Sequence, residues 1–242
     1  MLNRINTFSW QSITETLLNA LKRFPVAATA TIGLCISLLL LVNLPYEQLK
    51  GSILYEPSYW YVWVGALPLA ASIVLCFENR LNPTIRHSVS LLAVLLWSLY
   101  GYISNDTPEH FFGALAFIAP IVTFFSSLFW VAFLKKDTDT SFWNFSYLLC
   151  IQILTGLLFA SVLAAGLSLA LFSTDTLFGC EFKSEMYSNI HVLCYTLFFP
   201  FYLLGNIPIA SITETKVHSF AQAWKILGLY ILLPLLILYG TI

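Results

Sequence analysis

The sequence predicts an all-α fold: a polytopic bundle of six to seven membrane helices, preceded by an N-terminal amphipathic surface helix. Of the 242 residues, 59% are hydrophobic and only 10% are charged, whereas a typical soluble domain has about 25% charged residues. The apolar residues form seven long runs, and most Lys and Arg residues lie in alternate segments between those runs. We therefore expect the lipid bilayer to surround this chain. The net charge of −1 gives no indication of a nucleic-acid partner.

The N-terminal segment, 1–23, is not apolar enough to cross a bilayer, and we expect it to form the surface helix. A capping-box pattern begins at Ser12, because Glu15 follows it three residues later. The apolar residues that share one helical face are Trp10, Ile13, Leu17, Leu18 and Leu21. A helix of this kind lies in the membrane interface with its apolar face toward the lipid.

Residues 24–242 are predicted to form a single transmembrane domain. An α-helix rises about 1.5 Å per residue, so about 20 apolar residues cross the hydrocarbon core. The predicted spans are 25–44, 59–77, 88–103, 111–134, 145–172, 187–207 and 224–242. The chain ends inside the seventh run, so we expect a truncated form of a longer protein or the edge of a larger architecture.

The fifth run, 145–172, contains no charged residue, and we expect it to be the central helix of the bundle. Small residues recur in it at every fourth position and so share one helical face: Gly156, Ala160, Ala164 and Ser168. Because water cannot drive helices together inside lipid, the close approach of backbones along small residues supplies much of their association. We therefore predict that these four residues form a helix-packing surface.

The distribution of Lys and Arg predicts the orientation, because these residues are more frequent in cytoplasmic segments than in external ones. If the N-terminus is cytoplasmic, nine of the 11 Lys and Arg residues are inside and two, Lys50 and Lys183, are outside. The nine are Arg4, Lys22, Arg23, Arg80, Arg86, Lys135, Lys136, Lys216 and Lys225. We expect a cytoplasmic N-terminus, and seven spans then put the C-terminus outside.

Few polar or helix-distorting residues lie within or beside the spans. Glu78 and Arg80 are at the inner end of the second span, where we expect an interfacial ion pair. The other positions of interest are the amides Gln152 and Asn206 and the prolines Pro68, Pro120 and Pro200. The amides favour hydrogen bonds between helices or caps at helix ends. The prolines favour kinks, which are common beside transporter cavities and also in membrane helices generally.

The sequence contains no pattern that indicates a catalytic site, a cofactor or a metal centre. Neither an H-E-x-x-H motif nor the paired-aspartate motif of intramembrane proteases is present. The outer segments carry the carboxylates and imidazoles Asp106, Glu109, His110, Asp175, Glu181, Glu185 and His191. We expect a solvated acidic rim; the alternative is that His110 and His191 meet two carboxylates and bind a divalent cation. Cys180 and Cys194 could form a disulfide only if both face the outside.

Three segments carry a pattern that extends beyond composition. They are KRFP at 22–25, where the first span begins, FPFYLLGNIP at 199–208 in the sixth span, and LLPLLILY at 232–239 in the seventh. Together they resemble the bacterial membrane-protein family catalogued as domain of unknown function 4153 (DUF4153), over nearly the whole chain from about residue 10. The resemblance implies a protein of the bacterial cytoplasmic membrane with no assigned activity, and it supplies no catalytic residues. Members of that family continue past the seventh span, whereas this chain does not.

Three classes of function remain open at this point. A non-enzymatic interaction or sensing module is favoured, and its partner would be another protein or a second copy of the chain. A transporter or channel for a small or lipophilic solute is the alternative. An intramembrane enzyme is favoured least, because ionisable residues within a membrane usually mark functional sites and this chain has almost none there. A polar cavity reaching mid-membrane would favour transport, whereas a dry bundle with a lipid-facing groove would favour binding.

Overall fold

The computed structural model describes residues 10–52, 57–78, 80–103, 111–131, 139–179 and 182–208. Every regular element in these residues is helical, which confirms the predicted all-helical class. The helices are α1 (Trp10–Arg23), α2 (Pro25–Asn43), α3 (Tyr46–Leu49), α4 (Pro57–Phe77), α5 (Pro83–Ile103), α6 (Phe111–Trp130), α7 (Asp139–Phe178), α8 (Ser184–Val192) and α9 (Phe199–Asn206). A short π-helix, Leu193–Phe198, joins α8 to α9, so that Ser184–Asn206 is continuous and is called the α8–α9 helix below.

Several of these helices are suited to a bilayer, which indicates a multi-pass membrane protein. Four are long and apolar enough to cross one: Pro25–Asn43, Tyr59–Phe77, Phe142–Phe178 and Ser184–Asn206. A further apolar stretch, Leu115–Trp130 in α6, is shorter. The predicted third span, 88–103, falls within α5, and the predicted seventh, 224–242, lies outside the described residues. A total of six to seven spans stays a prediction.

The central helix of the described residues is α4, because it packs against α2, α5 and α6. Small buried side chains at Ala66, Ala70 and Ala71 allow this close packing. At Gly65 the backbone faces the indole of Trp97 so closely that a Cβ atom there would lie 2.7 Å from Nε1. The same Nε1 donates a hydrogen bond to the Val62 carbonyl at 3.0 Å, which joins α5 to α4.

Within the described residues, the run 145–172 does not form the central helix that we expected. This run lies in α7, which packs mainly against the α8–α9 helix and the end of α6 and leaves many of its apolar side chains exposed. The physical reason is that lipid and protein interior are equally apolar, so the length of an apolar run does not distinguish a lipid-facing helix from a central one.

The helix α7 is also longer than the predicted span, with 40 residues. Hydroxyl groups near its end bond to carbonyls one turn earlier, as Ser173 does to Leu169 and Thr174 to Ala170, both at 2.8 Å. The helix ends before Gly179, whose φ of +63° is left-handed and whose N–H donates to the Asp175 carbonyl at 2.8 Å. This is a glycine-terminated C-cap.

The helices α1 and α2 meet at Phe24, which is fully buried and has a non-helical backbone. Pro25 then opens α2, a position at which the missing N–H of proline costs little. The helix α1 packs against α9 and α2, with Ala20 buried and Leu17, Leu18 and Leu21 exposed. Its location on the membrane surface stays a prediction.

Candidate functional site

A charged junction forms where α1, α4 and α9 end. Arg23 donates from Nε to Oε1 of Glu78 at 2.6 Å and from Nη2 to Oε2 at 2.8 Å. The same guanidinium donates to the backbone carbonyls of Ile207 and Pro208. Each side chain of the ion pair is only 16% exposed. The two charges compensate each other through a bidentate contact, which is the strong form of an ion pair.

Arg23 joins elements that are distant in the sequence. Glu78 follows α4, while Ile207 and Pro208 follow α9, where terminal carbonyls lack helical partners and favour a cation. We expected Glu78 to pair with Arg80, but its partner is Arg23. Arg80 is exposed in a tight turn in which its N–H bonds to the Phe77 carbonyl at 3.0 Å. Two residues that are close in sequence, such as Glu78 and Arg80, need not contact each other across such a turn. The contact between Arg23 and Glu78 spans 55 residues, so no local sequence pattern predicts it.

Two more titratable or charged side chains lie near the start of α5. Arg86 is only 8% exposed, and its Nε has no hydrogen-bond partner. The Nδ1 atom of His87 is also buried without a partner. Burial, and to a lesser extent the charge of Arg86, lowers the pKa of His87 below its usual value. His87 precedes the predicted third span, so the neutral imidazole is favoured at the membrane edge.

Polar side chains on neighbouring helices bond to one another. The hydroxyl oxygens of Ser72 in α4 and Ser127 in α6 are 2.7 Å apart, and Ser72 also donates to the Pro68 carbonyl at 2.6 Å. Four other pairs join different helices: Ser37–Tyr59 at 2.6 Å, Asn43–Asn189 at 2.8 and 3.0 Å, Ser161–Tyr195 at 3.0 Å and Gln152–Tyr202 at 3.3 Å. These bonds hold neighbouring helices together without using charged groups.

The predicted helix-packing residues of α7 lie largely on its covered side. Gly156, Ala160 and Ala164 are buried, and a Cβ atom at 156 would lie 2.7 Å from the Tyr202 ring. Ser168 is partly buried, and its hydroxyl has no hydrogen-bond partner. That these residues drive helix association stays a prediction, for which a test is given in the Discussion.

The remaining polar and proline positions have local roles. The Asn206 amide donates to the Tyr202 carbonyl at 2.8 Å, one turn earlier in α9. Pro68 and Pro120 lie inside α4 and α6. Pro200 is the second residue of α9, which directly follows the π-helix.

The outer carboxylates and imidazoles are only partly within the described residues, since Asp106, Glu109, His110 and Glu181 lie outside them. Asp175 accepts a bond from the Phe182 N–H at 3.4 Å, and His191 Nδ1 is 2.8 Å from the Tyr187 carbonyl oxygen. Within the described ranges, no three His, Cys, Asp or Glu side chains are grouped to hold a metal ion. The solvated rim stays a prediction. The Cys194 thiol is free and buried, and Cys180 is not described.

Comparison with known proteins identifies no relative. No protein-family model matches the chain, and no curated protein or solved structure is significantly similar to it. The resemblance to the DUF4153 family therefore stays an expectation from the sequence, and the interpretation of the charged junction rests on its geometry.

Proposed function

We propose that this chain is a multi-pass protein of the bacterial cytoplasmic membrane and serves as a non-enzymatic interaction or sensing module. Its apolar helices indicate an integral membrane protein. The observation that supports the role is that polar side chains between helices are engaged with each other, as in the pairs Ser72–Ser127 and Gln152–Tyr202. Side chains used in this way hold the bundle together, and many large apolar side chains remain exposed on its surface.

The exposed side of α7 is the surface that we assign to a partner. The other side of α7 packs against the α8–α9 helix. The exposed side carries large apolar side chains at Leu157, Val162, Leu163, Leu169 and Phe172. A further transmembrane helix, from another protein or a second copy, can pack on such a face by van der Waals contact.

The proposed orientation has the N-terminus and the turn between α4 and α5 in the cytoplasm, six to seven spans and an external C-terminus. Arg23 and Glu78 are in contact, so the start of α2 and the end of α4 are at the same end of the bundle, as this topology requires. Basic residues at both of these ends support the cytoplasmic assignment. The exposed Leu17, Leu18 and Leu21 support an interfacial location for α1.

Cysteine labelling tests the orientation. In a cysteine-free background, Asn82→Cys probes the turn between α4 and α5, and Gln48→Cys probes α3; both native side chains are exposed. We expect a membrane-impermeant maleimide to label the residue at 48 in intact cells and the residue at 82 only after permeabilisation. The reverse pattern would contradict the orientation.

Photo-crosslinking tests the interaction module. A photoreactive residue replaces Val162 on the exposed side of α7, and the matched control replaces Leu92 on the exposed side of α5. We expect a discrete protein adduct from position 162 and only lipid adducts from position 92. If both positions yield only lipid adducts, the assignment of α7 as the partner surface is wrong.

A transporter or channel is the second candidate, favoured by the π-helix that directly precedes α9. Short π-helical segments are frequent at functional sites, and interrupted helices line the substrate sites of several transporters. Cys194 lies in this π-helix and is buried. Labelling of Cys194 by a water-soluble thiosulfonate in the folded protein would indicate an aqueous pathway and would favour transport over the interaction module.

A further inference from the structure

Arg86 is a buried cation for which the described residues provide no anion. It lies in the first turn of α5, is 8% exposed, and has an Nε atom without a hydrogen-bond partner. An arginine side chain cannot lose its proton in a protein. A largely buried cation without a counter-charge is destabilising, so an anion beside the Arg86 guanidinium would stabilise the structure.

The acid nearest to Arg86 in the described sequence is Glu78, and it is already engaged. Its Oε1 accepts from Nε of Arg23 and its Oε2 from Nη2 of the same residue. Both carboxylate oxygens therefore serve Arg23 at the charged junction. Glu78 is therefore not available to Arg86, and no other acid among the described residues forms an ion pair with it.

The position of Arg86 in α5 indicates where that anion binds. Ser90, one turn later on the same helical face, donates to the Ala70 carbonyl of α4 at 3.3 Å, and Trp97 on the same face bonds to Val62. The Arg86 face of α5 is therefore packed against α4. Helical side chains generally lean toward the helix N-terminus, which for Arg86 is the first turn of α5.

The first turn of α5 adds donors to this position. Pro83 has no N–H, and the Thr84 and Ile85 N–H groups have no acceptor within the helix because they precede the first intrahelical bond. The first backbone bond here joins the Arg86 N–H to the Asn82 carbonyl at 3.0 Å. Thr84 and Ile85 are exposed, so a ligand can reach this turn. Free N–H groups and the helix dipole together favour an anion.

We propose that Arg86 and the first turn of α5 bind a phosphate group, carried by an anionic phospholipid headgroup or by free phosphate. The planar guanidinium matches phosphate oxygens in a bidentate contact, and basic pockets between membrane helices bind anionic headgroups at the cytoplasmic side. Exposed Arg80 lies three residues before Pro83 and adds positive charge near the same turn. The inference rests on the proposed membrane insertion and is independent of the non-enzymatic role.

Thermal unfolding in nanodiscs tests the site, because Arg86→Met has opposite expected effects with and without phosphate. In nanodiscs of phosphatidylcholine mixed with phosphatidylglycerol, the variant loses a bound lipid and should have a lower Tm than the wild type. In a neutral detergent free of lipid and phosphate, the variant removes an uncompensated cation and should have an equal or higher Tm. Both faces of a nanodisc are accessible, so an error in the proposed orientation would leave this result unchanged.

Native mass spectrometry measures the lipid directly. We expect Arg86→Gln to weaken retention of phosphatidylglycerol about tenfold, the effect of losing one charge-assisted contact. The matched control Lys22→Gln, which removes an exposed cation that has no part in the site, should change it less than about twofold. Circular dichroism checks that each variant keeps its helical content.

The outcomes separate the two sources of phosphate. Stabilisation by phosphatidylglycerol that inorganic phosphate does not reproduce assigns the site to a lipid. Stabilisation by millimolar inorganic phosphate in detergent, abolished by Arg86→Met, assigns it to free phosphate. The proposal is overturned if phosphatidylglycerol and inorganic phosphate each shift the Tm of the wild type no more than that of Arg86→Met. It is also overturned if Arg86→Gln retains phosphatidylglycerol as well as the wild type does. In either case the counter-charge comes from another acidic group.

Discussion

The charged junction gives the most direct test of how this bundle is held together. We expect Arg23→Met to lower the free energy of unfolding by about 2–3 kcal/mol. The change removes the two bonds to Glu78 and the two to the Ile207 and Pro208 carbonyls. Leaving one member of a buried ion pair uncompensated costs about 3–5 kcal/mol, and the 16% exposure of each side chain places the expected loss below that range. Methionine keeps an apolar stem beside Phe24, over which the guanidinium lies.

The assay is reversible unfolding in mixed micelles, followed by tryptophan fluorescence. The double variant Arg23→Met, Glu78→Gln should recover about 1 kcal/mol relative to Arg23→Met alone, because the unpaired carboxylate is gone. The matched control Arg80→Met changes an exposed cation and should stay within about 0.5 kcal/mol of the wild type. The reasoning is refuted if Arg23→Met behaves like this control, or if the second substitution brings no recovery.

Two further predictions concern helix packing, and both use the same unfolding assay. Gly65→Ala should lower the free energy of unfolding by about 1–3 kcal/mol as an overpacking change, because its Cβ would lie 2.7 Å from Nε1 of the buried Trp97. The control Gly166→Ala, with open space around it, should not lower it. Equal losses in the two variants would contradict the close-contact argument. Ala160→Leu should also lower the free energy of unfolding by about 1–3 kcal/mol, because Ala160 is fully buried. The control is Val162→Leu on the exposed side of α7. If Ala160→Leu has no effect, the helix-packing surface of α7 does not drive packing.

The parts of the fold that follow from one-dimensional pattern could be predicted from the sequence. The predicted second span, 59–77, coincides with the apolar helix Tyr59–Phe77, and the predicted start of the first span at Pro25 is where α2 begins. These features depend on local composition and on the properties of proline. The helix α7 continues beyond the predicted span to Phe178, because Ser173 and Thr174 satisfy their hydroxyl groups within the helix.

The arrangement of helices and the charged junction could not be predicted in this way. Arg23 and Glu78 are 55 residues apart, and Glu78 does not pair with Arg80, the cation nearest to it in the sequence. The central position of α4 depends on Gly65, Ala66 and Ala70 facing other helices. Small residues occur in α7 as well, so composition alone does not decide which helix occupies the centre.

The prolines are the last feature on which the sequence left two interpretations open, and Pro120 and Pro200 have different surroundings in the structure. Pro120 removes the N–H that would bond to the Ala116 carbonyl in α6. The hydroxyl of Tyr100 in α5 donates to that carbonyl at 3.3 Å, so a neighbouring helix replaces the lost bond and fixes α6 to α5. Pro120 thereby takes part in packing and gives no support to a moving hinge.

Pro200 is accommodated differently. The helix before it changes register, so that the Phe199 N–H bonds to the Cys194 carbonyl five residues earlier. A π-helix is wider and less stable than an α-helix and persists where surrounding structure or function maintains it. The transport alternative therefore depends on this segment and not on prolines in general. Because Cys194 lies within it and has a free thiol, the labelling of that residue tests the alternative at the position where the backbone departs from the α-helix.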